Sequence, residues 1–402
     1  MSEIGRDRGS AGLPLLSSGF RLFFLAAALW ATIVVPLWLA LLTGQVGLTL
    51  TMAPLVWHVH ELVFGFGAAA MAGFLLTAVP NWTGRAPLTG TPLALLILLW
   101  CAGRVAVLFA AWIGASVAAA LDLSFPAVFL LVVLREIVVG RNWRNLPVVG
   151  VLALLLLGNV LVHLGGLGLP SLELSGARLG VATLLLLIGL IGGRIIPSFT
   201  GNWLVKNRPE VAAPAPFGIM DRAGLMVLAL ALLTWVVAPE AFLAPWAALI
   251  GGLGIAARLL RWRGLATVGE PLLGVLHLGY AWLAFGLLLL ACNGFWPVIP
   301  ASAALHALTV GAIGTMTLAM VTRVSLGHTG RPLIAGPRTT AIYGLITLAA
   351  VLRVFAPLAG EAYVAALWLS SVAWSGAFGL FVLSYARPLV APRLMGGSAR
   401  PI

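Results

Sequence analysis

Histidine is the side chain in this sequence with the clearest chemical potential. The chain has six histidines, and each lies inside or at the end of an apolar run (His58, His60, His163, His277, His306 and His328). An ionisable group placed in a membrane is costly and therefore marks a functional site by default. Because imidazole is a good ligand for copper and for haem iron, these positions indicate metal or cofactor chemistry.

Two of the histidines occur in matching contexts. A span of 23 residues separates His60 from Thr83, and the same span separates His306 from Thr329. Each histidine is followed five residues later by a glycine, and each threonine is followed by Gly-Arg. We interpret the two stretches as equivalent membrane helices that carry a histidine at the same depth.

A histidine pair at one depth suits a b-type haem, whose iron takes one axial imidazole from each of two flanking helices. Small residues must then make room for the porphyrin. Gly65 follows His60 and Gly311 follows His306, so these four residues form the predicted haem site. The alternative is that each histidine only forms a hydrogen bond with a neighbouring helix.

Arginine can hold the haem propionates, since guanidinium matches carboxylate geometry. Arg104, Arg178 and Arg353 lie in apolar runs and are the candidates. For Arg104 there is a competing interpretation. Asp122 lies at a similar depth on the next antiparallel helix, so the two charges are expected to pair.

A second metal site is expected near His58. Residues two apart on a helix point about 200° away from each other, so His58 and His60 should not face one metal. His163, at the end of another helix, could join His58, and Glu61 could orient an imidazole as a hydrogen-bond acceptor. Copper suits such a site. The alternative is a set of hydrated histidines at the membrane interface.

A third grouping involves sulfur ligands. His277 lies in the opposite half of the membrane and could form a soft Cu(I) site with three methionines (Met71, Met316 and Met320). Methionine is also an ordinary core residue, which is the competing interpretation.

Composition identifies the elements that position these residues. The chain is 61% hydrophobic and 8% charged, whereas about a quarter of the residues in a soluble protein are charged. This predicts an all-α polytopic membrane protein forming one domain over residues 1–402. We expect a terminal segment 1–21, a bundle 22–386 and a tail 387–402. The twelve predicted spans are 22–43, 55–79, 92–113, 115–139, 146–168, 176–197, 222–240, 241–260, 270–292, 299–321, 339–358 and 362–386.

The charges predict the orientation. Twenty of the 23 basic residues fall in the segments on one side of these spans. By the positive-inside rule both termini are then cytoplasmic. The scattered arginines argue against nucleic-acid binding despite a net charge of +12. Cys101 and Cys292 lie in apolar runs and are expected to be free, buried thiols.

A weaker repeat extends the pattern. Asn202-Trp203 follows the sixth span as Asn81-Trp82 follows the second. Spans two, six and ten are spaced by four, which is consistent with three pseudo-repeated four-helix units.

At these motifs the sequence resembles the NnrS family of haem- and copper-containing bacterial membrane proteins. The resemblance covers nearly the whole chain and rests on the segments 20–24, 58–61, 64–66, 78–84, 192–200, 306–311 and 328–331. It implies bound haem and copper and a role in the response to nitric oxide and nitrosative stress. The lipid bilayer, nitric oxide or a related small molecule, and an electron donor are the partners expected on this basis.

A more distant likeness is to the catalytic subunit of haem–copper oxidases. That subunit also has twelve helices in three pseudo-repeats, with haem histidines on helices two and ten. Here the sixth and seventh spans carry no histidine, so the oxidase copper centre has no counterpart. A haem with two histidine ligands is also coordinatively saturated, which favours electron transfer or sensing. The competing hypotheses are a twelve-helix transporter of small molecules or metals and a membrane scaffold without a cofactor.

Overall fold

A computed structural model describes residues 13–394, and within that range the regular structure is entirely helical. The long helices are α1 (Gly19–Leu42), α2 (Pro54–Thr83), α3 (Gly90–Leu108), α4 (Ala115–Val139), α5 (Leu146–Gly166), α6 (Ser171–Asn207), α7 (Ile219–Val237), α8 (Ala244–Leu260), α9 (Pro271–Phe295), α10 (Ala301–His328), α11 (Pro337–Phe355) and α12 (Tyr363–Val390).

Eleven of these helices are long and apolar enough to cross a membrane. The fold class predicted from the sequence, an all-α polytopic membrane protein, is therefore confirmed. The exception is α8, which has 17 residues and would extend roughly 26 Å at 1.5 Å per residue, slightly less than a bilayer core. Twelve crossings therefore stay a prediction.

Two of the helix connections contain a residue that interrupts regular helix. Gly114 has a φ of +90° between α3 and α4, a conformation that glycine adopts without steric cost. Pro239 lies in the connection between α7 and α8. The largest difference is in α6, which continues ten residues past the predicted end at 197, because the polar segment beyond the apolar run is helical as well.

Both ends of the described chain lie on one face of the bundle. The Nη1 group of Arg21, near the start of α1, donates to the carbonyls of Leu389 and Ala391 at the end of α12, each at 2.7 Å. The Leu394 amide donates to the Thr329 carbonyl after α10, at 3.1 Å. We call this side, where α2, α6 and α10 end, the carboxyl-end face, and the opposite side the amino-end face.

Three helices form the centre of the bundle. α2, α6 and α10 contact one another, and each contains a π-helical segment, at Glu61–Gly67, Ile188–Gly192 and Ala307–Gly314. Such segments are rare and occur frequently at functional sites. In α2 and α10 the segment begins directly after His60 and His306, so these two helices share a local distortion as well as a sequence pattern.

The outer helices repeat the same packing three times. α3 packs on α4, α7 on α8 and α11 on α12, while α4–α5, α8–α9 and α12–α1 contacts join consecutive units. The last contact closes the ring. This arrangement matches the three four-helix units that the sequence pattern indicated, with α2, α6 and α10 in equivalent positions.

The segment boundaries differ slightly from those expected. α1 begins at Gly19 and α12 ends at Val390, whereas the sequence placed the bundle at 22–386. Residues 1–12 of the terminal segment and 395–402 of the tail lie outside the described part of the chain. Cys101 and Cys292 are free, but Cys101 is exposed on the outer surface of α3 and is not buried as predicted.

Candidate functional sites

The first site is a group of buried polar side chains near the amino-end face. One carboxylate oxygen, Oδ2 of Asp122 on α4, accepts from two imidazoles. His163 Nε2, on α5, is 2.9 Å from it, and His60 Nε2, on α2, is 3.1 Å from it. The ligand atoms of these three residues all lie within 4.8 Å of one another.

Three further residues complete this site. Asn159 on α5 donates to Asp122 Oδ2 at 2.8 Å and accepts from His60 Nε2 at 2.9 Å. Arg104 on α3 donates to Glu61 at 2.8 Å and also to Asp122 Oδ1. The predicted Arg104–Asp122 pair is therefore confirmed. We call these residues the histidine–carboxylate cluster (His60, Glu61, Arg104, Asp122, Asn159 and His163).

The hydrogen bonds of His60 indicate what the cluster can hold. Its Nδ1 faces Glu61 Oε1 at 3.0 Å and its Nε2 faces the two oxygens just described, so both ring nitrogens meet acceptors. An imidazole satisfies two acceptors only when both nitrogens carry protons. Two carboxylates, one guanidinium and one imidazolium then balance to zero charge. Replacing the Nε2 proton by a metal ion keeps a cation between the carboxylates.

The donor set also fits a metal ion by chemistry and spacing. Two imidazole nitrogens and one carboxylate oxygen suit copper, zinc or iron. Ligand atoms about 3 Å apart are compatible with metal–ligand bonds of roughly 2.0–2.2 Å. Glu61 would act as the orienting acceptor that metal-binding histidines usually have on their other nitrogen.

The second site is an apolar cavity of about 100 Å³ on another side of α2. It is lined by residues of α1, α2, α6, α10, α11 and α12, and its polar contributors include His58, His306 and Arg353. We call it the histidine cavity. Its volume is below the roughly 300–1,000 Å³ typical of cofactor pockets, so a large cofactor would bind here only if the lining side chains move apart.

Both histidines of this cavity have ring nitrogens without a partner among the described residues. His306 Nδ1 donates to the Ser302 carbonyl at 2.6 Å, which leaves Nε2 as the nitrogen available for a ligand. His58 stacks on Trp38 with ring centroids 3.9 Å apart, and its buried Nδ1 has no hydrogen-bond partner. The π face of Trp38 therefore fixes the plane of the His58 ring without using its nitrogens.

Two further polar atoms at the histidine cavity lack partners within residues 13–394. They are Nη1 of Arg353 and the Ser371 hydroxyl, both buried. Buried polar groups are normally hydrogen-bonded, and an exception calls for an explanation. Two available imidazoles and the free Nη1 of Arg353, set in an apolar lining, match by chemistry the groups that would hold a haem with carboxylate side chains.

The structure therefore pairs His306 with His58 at one cavity, whereas the sequence analysis paired it with His60. His60 is not part of the lining and uses its ring in the histidine–carboxylate cluster. Residues at equivalent positions of α2 and α10 are related by a rotation, so they point into different spaces. His58 lies about 200° from His60 on the same helix and points back toward the space that His306 faces. For the same reason His163 joins His60 and not His58.

The two predicted glycines serve close packing. A side chain at Gly65 would collide with Arg104 and Trp30, and one at Gly311 would collide with Trp282. Neither glycine lines the histidine cavity. Their role is to let neighbouring side chains approach the π-helical segments.

The remaining candidates lie apart from these sites. Arg178 is half-buried on α6 and forms no ion pair with a described residue. The methionines of the predicted Cu(I) site, Met71, Met316 and Met320, line an apolar cavity of about 100 Å³, which we call the methionine cavity. His277 is not part of its lining, because its Nε2 faces the Thr200 hydroxyl at 2.9 Å.

Sequence reasoning missed two members of the histidine–carboxylate cluster. Asp122 was considered only as a partner of Arg104, and Asn159 was not considered. Asn159 precedes His163 by four residues, which places both on one face of α5. A search for polar residues at helical spacing from each histidine would have found it.

A family model described as NnrS protein matches residues 14–393 of the chain. A search of curated proteins found no significant match. The matched range includes both sites described above.

Proposed function

The chain belongs to the NnrS family, and from this premise we propose that it binds haem and copper and protects against nitric oxide and nitrosative stress through redox or metal chemistry. The observation that carries the proposal is the histidine cavity, in which imidazoles from two central helices face one apolar space beside an unpaired guanidinium. The histidine–carboxylate cluster supplies a separate donor set for a metal ion.

In this proposal His58 and His306 would hold a b-type haem in the histidine cavity by binding its iron through their imidazoles. The chemistry that the haem would supply when bound is one-electron redox chemistry. The Ser302 carbonyl fixes the His306 tautomer by accepting from Nδ1, and Trp38 holds the His58 ring. Arg353 offers its unpaired Nη1 to a propionate. The apolar walls exclude water from the site.

Copper is assigned to the histidine–carboxylate cluster. His60, Asp122 and His163 are the proposed ligands, while Glu61 and Asn159 orient the imidazole of His60. Arg104 neutralises part of the carboxylate charge, because it contacts both Glu61 and Asp122. When His60 is neutral, Glu61, Asp122 and Arg104 together carry one net negative charge, which a bound metal ion would balance.

The proposed setting is the bacterial inner membrane with the carboxyl-end face toward the cytoplasm. The support is the concentration of arginines at that face and the location of both described chain ends there. Both candidate sites then lie near the periplasmic side. A small neutral molecule such as nitric oxide could reach them from the membrane, and an electron donor is the expected protein or small-molecule partner.

The test compares optical spectra and metal content of purified variants. We expect the wild type to show a sharp low-spin α band after reduction with dithionite. His58→Ala and His306→Ala should lose this band almost completely, while His60→Ala should keep it and lose copper. His328→Ala, which changes a histidine at the carboxyl-end face, is the matched control and should keep both.

Two results would contradict the assignment. A wild type without haem, despite ample haem during expression, would refute the haem proposal as a whole. Loss of haem in His60→Ala together with retention in His58→Ala would restore the pairing of His60 with His306 that the sequence suggested.

A further inference from the structure

A third cavity opens at the carboxyl-end face, away from both histidine sites. It has a volume of about 540 Å³ and lies between the ends of α2, α6 and α10 and the connection from α4 to α5. Its polar lining includes Arg144, Arg194 and Asn81. We call it the basic cavity. Neither the haem nor the copper assignment uses it.

The basic cavity has positive charge without a compensating acid. No aspartate or glutamate is among its lining residues, and neither Arg144 nor Arg194 forms an ion pair within residues 13–394. Other arginines at this face do form ion pairs with carboxylates. Arg85 and Arg135, for example, both contact Glu136. The membrane topology explains why basic residues are on this face, but it does not explain two unpaired guanidiniums in one cavity.

The two arginines are exposed side chains on ordered backbone. Arg194 lies two residues after the π-helical segment of α6, Ile188–Gly192. Arg144 lies in the turn Trp143–Asn145, which precedes α5. The Asn142 amide donates to the Trp82 carbonyl at the end of α2, and Asn145 donates to Asn142 at 2.9 Å. These bonds fix the turn beside the cavity before any ligand binds.

The inner end of the basic cavity adjoins the apolar methionine cavity. Phe74, Ile191, Ile195 and Met320 line both this cavity and the methionine cavity. The combined space therefore has a cationic entrance and an apolar interior. A ligand that matches it has an anionic group and room for an apolar portion.

We propose that the basic cavity is a binding site for a phosphate group held between Arg144 and Arg194. Guanidinium recognises phosphate oxygens through paired N–H donors, and two arginines balance a dianion. The phosphate can belong to the headgroup of an anionic lipid, whose apolar part would extend toward the methionine cavity, or to a free phosphate. The inference is independent of the proposed function, since it involves no residue of the two histidine sites.

The test measures ligand binding to the full-length protein in a neutral detergent. Inorganic phosphate, a short-chain phosphatidylglycerol and a short-chain phosphatidylcholine are titrated while thermal unfolding is followed by tryptophan fluorescence. We expect the melting temperature to rise with phosphatidylglycerol and not with phosphatidylcholine. A matching rise with inorganic phosphate would identify free phosphate as sufficient. Arg144→Gln and Arg194→Gln should each weaken binding about 10-fold or more, as expected for a charge-assisted hydrogen bond.

Arg141→Gln is the matched control, because it removes the same charge from the same connection but outside the cavity lining. It should bind as the wild type does. Arg194→Lys keeps the charge without the paired donors and should bind with intermediate affinity, which covers the case in which Arg194→Gln does not fold. The proposal is overturned if no anionic ligand stabilises the wild type, or if the Arg144→Gln/Arg194→Gln double variant binds as tightly as Arg141→Gln. Copper and haem content are recorded throughout, so a failure of the metal assignments would be visible separately.

Discussion

The histidine–carboxylate cluster and the histidine cavity occupy equivalent places in a threefold arrangement, yet they are built oppositely. His60 directly precedes the π-helical segment of α2 and faces α3, α4 and α5, while His306 directly precedes that of α10 and faces α11, α12 and α1. Each space contains an arginine near the end of its third helix, Arg104 on α3 and Arg353 on α11.

The difference begins on the fourth helix of each unit. Asp122 is the eighth residue of α4, and Ser370 is the eighth residue of α12. Asp122 brings a charge that pairs with Arg104 and accepts hydrogen bonds from two imidazoles, so the first space is filled by hydrogen bonds. The Ser370 hydroxyl donates to the Ala349 carbonyl at 2.9 Å, and the space beside it is an apolar cavity. One scaffold therefore surrounds a hydrogen-bonded polar cluster in one unit and an apolar cavity in another.

The largest expected effect comes from removing the Asp122 carboxylate, because its charge distinguishes the histidine–carboxylate cluster from the histidine cavity. Asp122→Ala leaves Arg104 without one partner and both imidazoles without their common acceptor. Breaking a buried ion pair by removing one member costs about 3–5 kcal/mol. We expect the melting temperature to fall sharply and copper to be lost, as measured by thermal unfolding and elemental analysis.

Ser370→Ala, at the equivalent position of α12, is the matched control. It removes one hydroxyl whose bond is worth about 1 kcal/mol and should leave copper content unchanged. Equal destabilisation by the two substitutions would mean that the Asp122 network contributes little, and the contrast between the two spaces would fail.

The second prediction separates the two sites by their metals. His163→Gln removes one of three copper ligands but keeps a polar side chain of similar size. We expect bound copper to fall from about one per chain to a small fraction, while the haem α band keeps its position and intensity. Copper analysis and optical spectra of one preparation give both readings. Haem loss in this variant would show that the two sites are coupled.

Much of this organisation was accessible from the sequence. The apolar runs predicted the helices, and the matched contexts of His60 and His306 predicted that α2 and α10 are equivalent. The Arg104–Asp122 pair followed from their similar depth. These inferences succeed because hydrophobicity, spacing and the position of charged residues within apolar runs can all be read directly from the sequence.

The partners of the histidines were less accessible, for a geometric reason. The matching sequence contexts of His60 and His306 suggest that the two residues are neighbours in space, and for this reason the sequence predicts them as a pair. In a rotational repeat, equivalent residues face equivalent but separate spaces. The π-helical segments add to this, since an extra residue in a turn changes the direction of the following side chains, and the sequence pattern assumed regular α-helix. The partner that each imidazole contacts is therefore determined by how the helices pack in the assembled bundle.

The smallest expected effect concerns Arg353, whose counterpart Arg104 forms ion pairs with two carboxylates. Nη1 of Arg353 has no partner among the described residues, so its contribution depends on what occupies the histidine cavity. If a propionate accepts from it, Arg353→Gln removes one charge-assisted hydrogen bond, and haem should transfer to a competing apoprotein about 10-fold faster or more. The α band should persist, because His58 and His306 are unchanged. Arg178→Gln, which alters a half-buried arginine outside that cavity, should leave the transfer rate as it is. Equal rates for wild type and Arg353→Gln would place the propionates elsewhere, whereas acceleration in Arg178→Gln alone would assign them to α6.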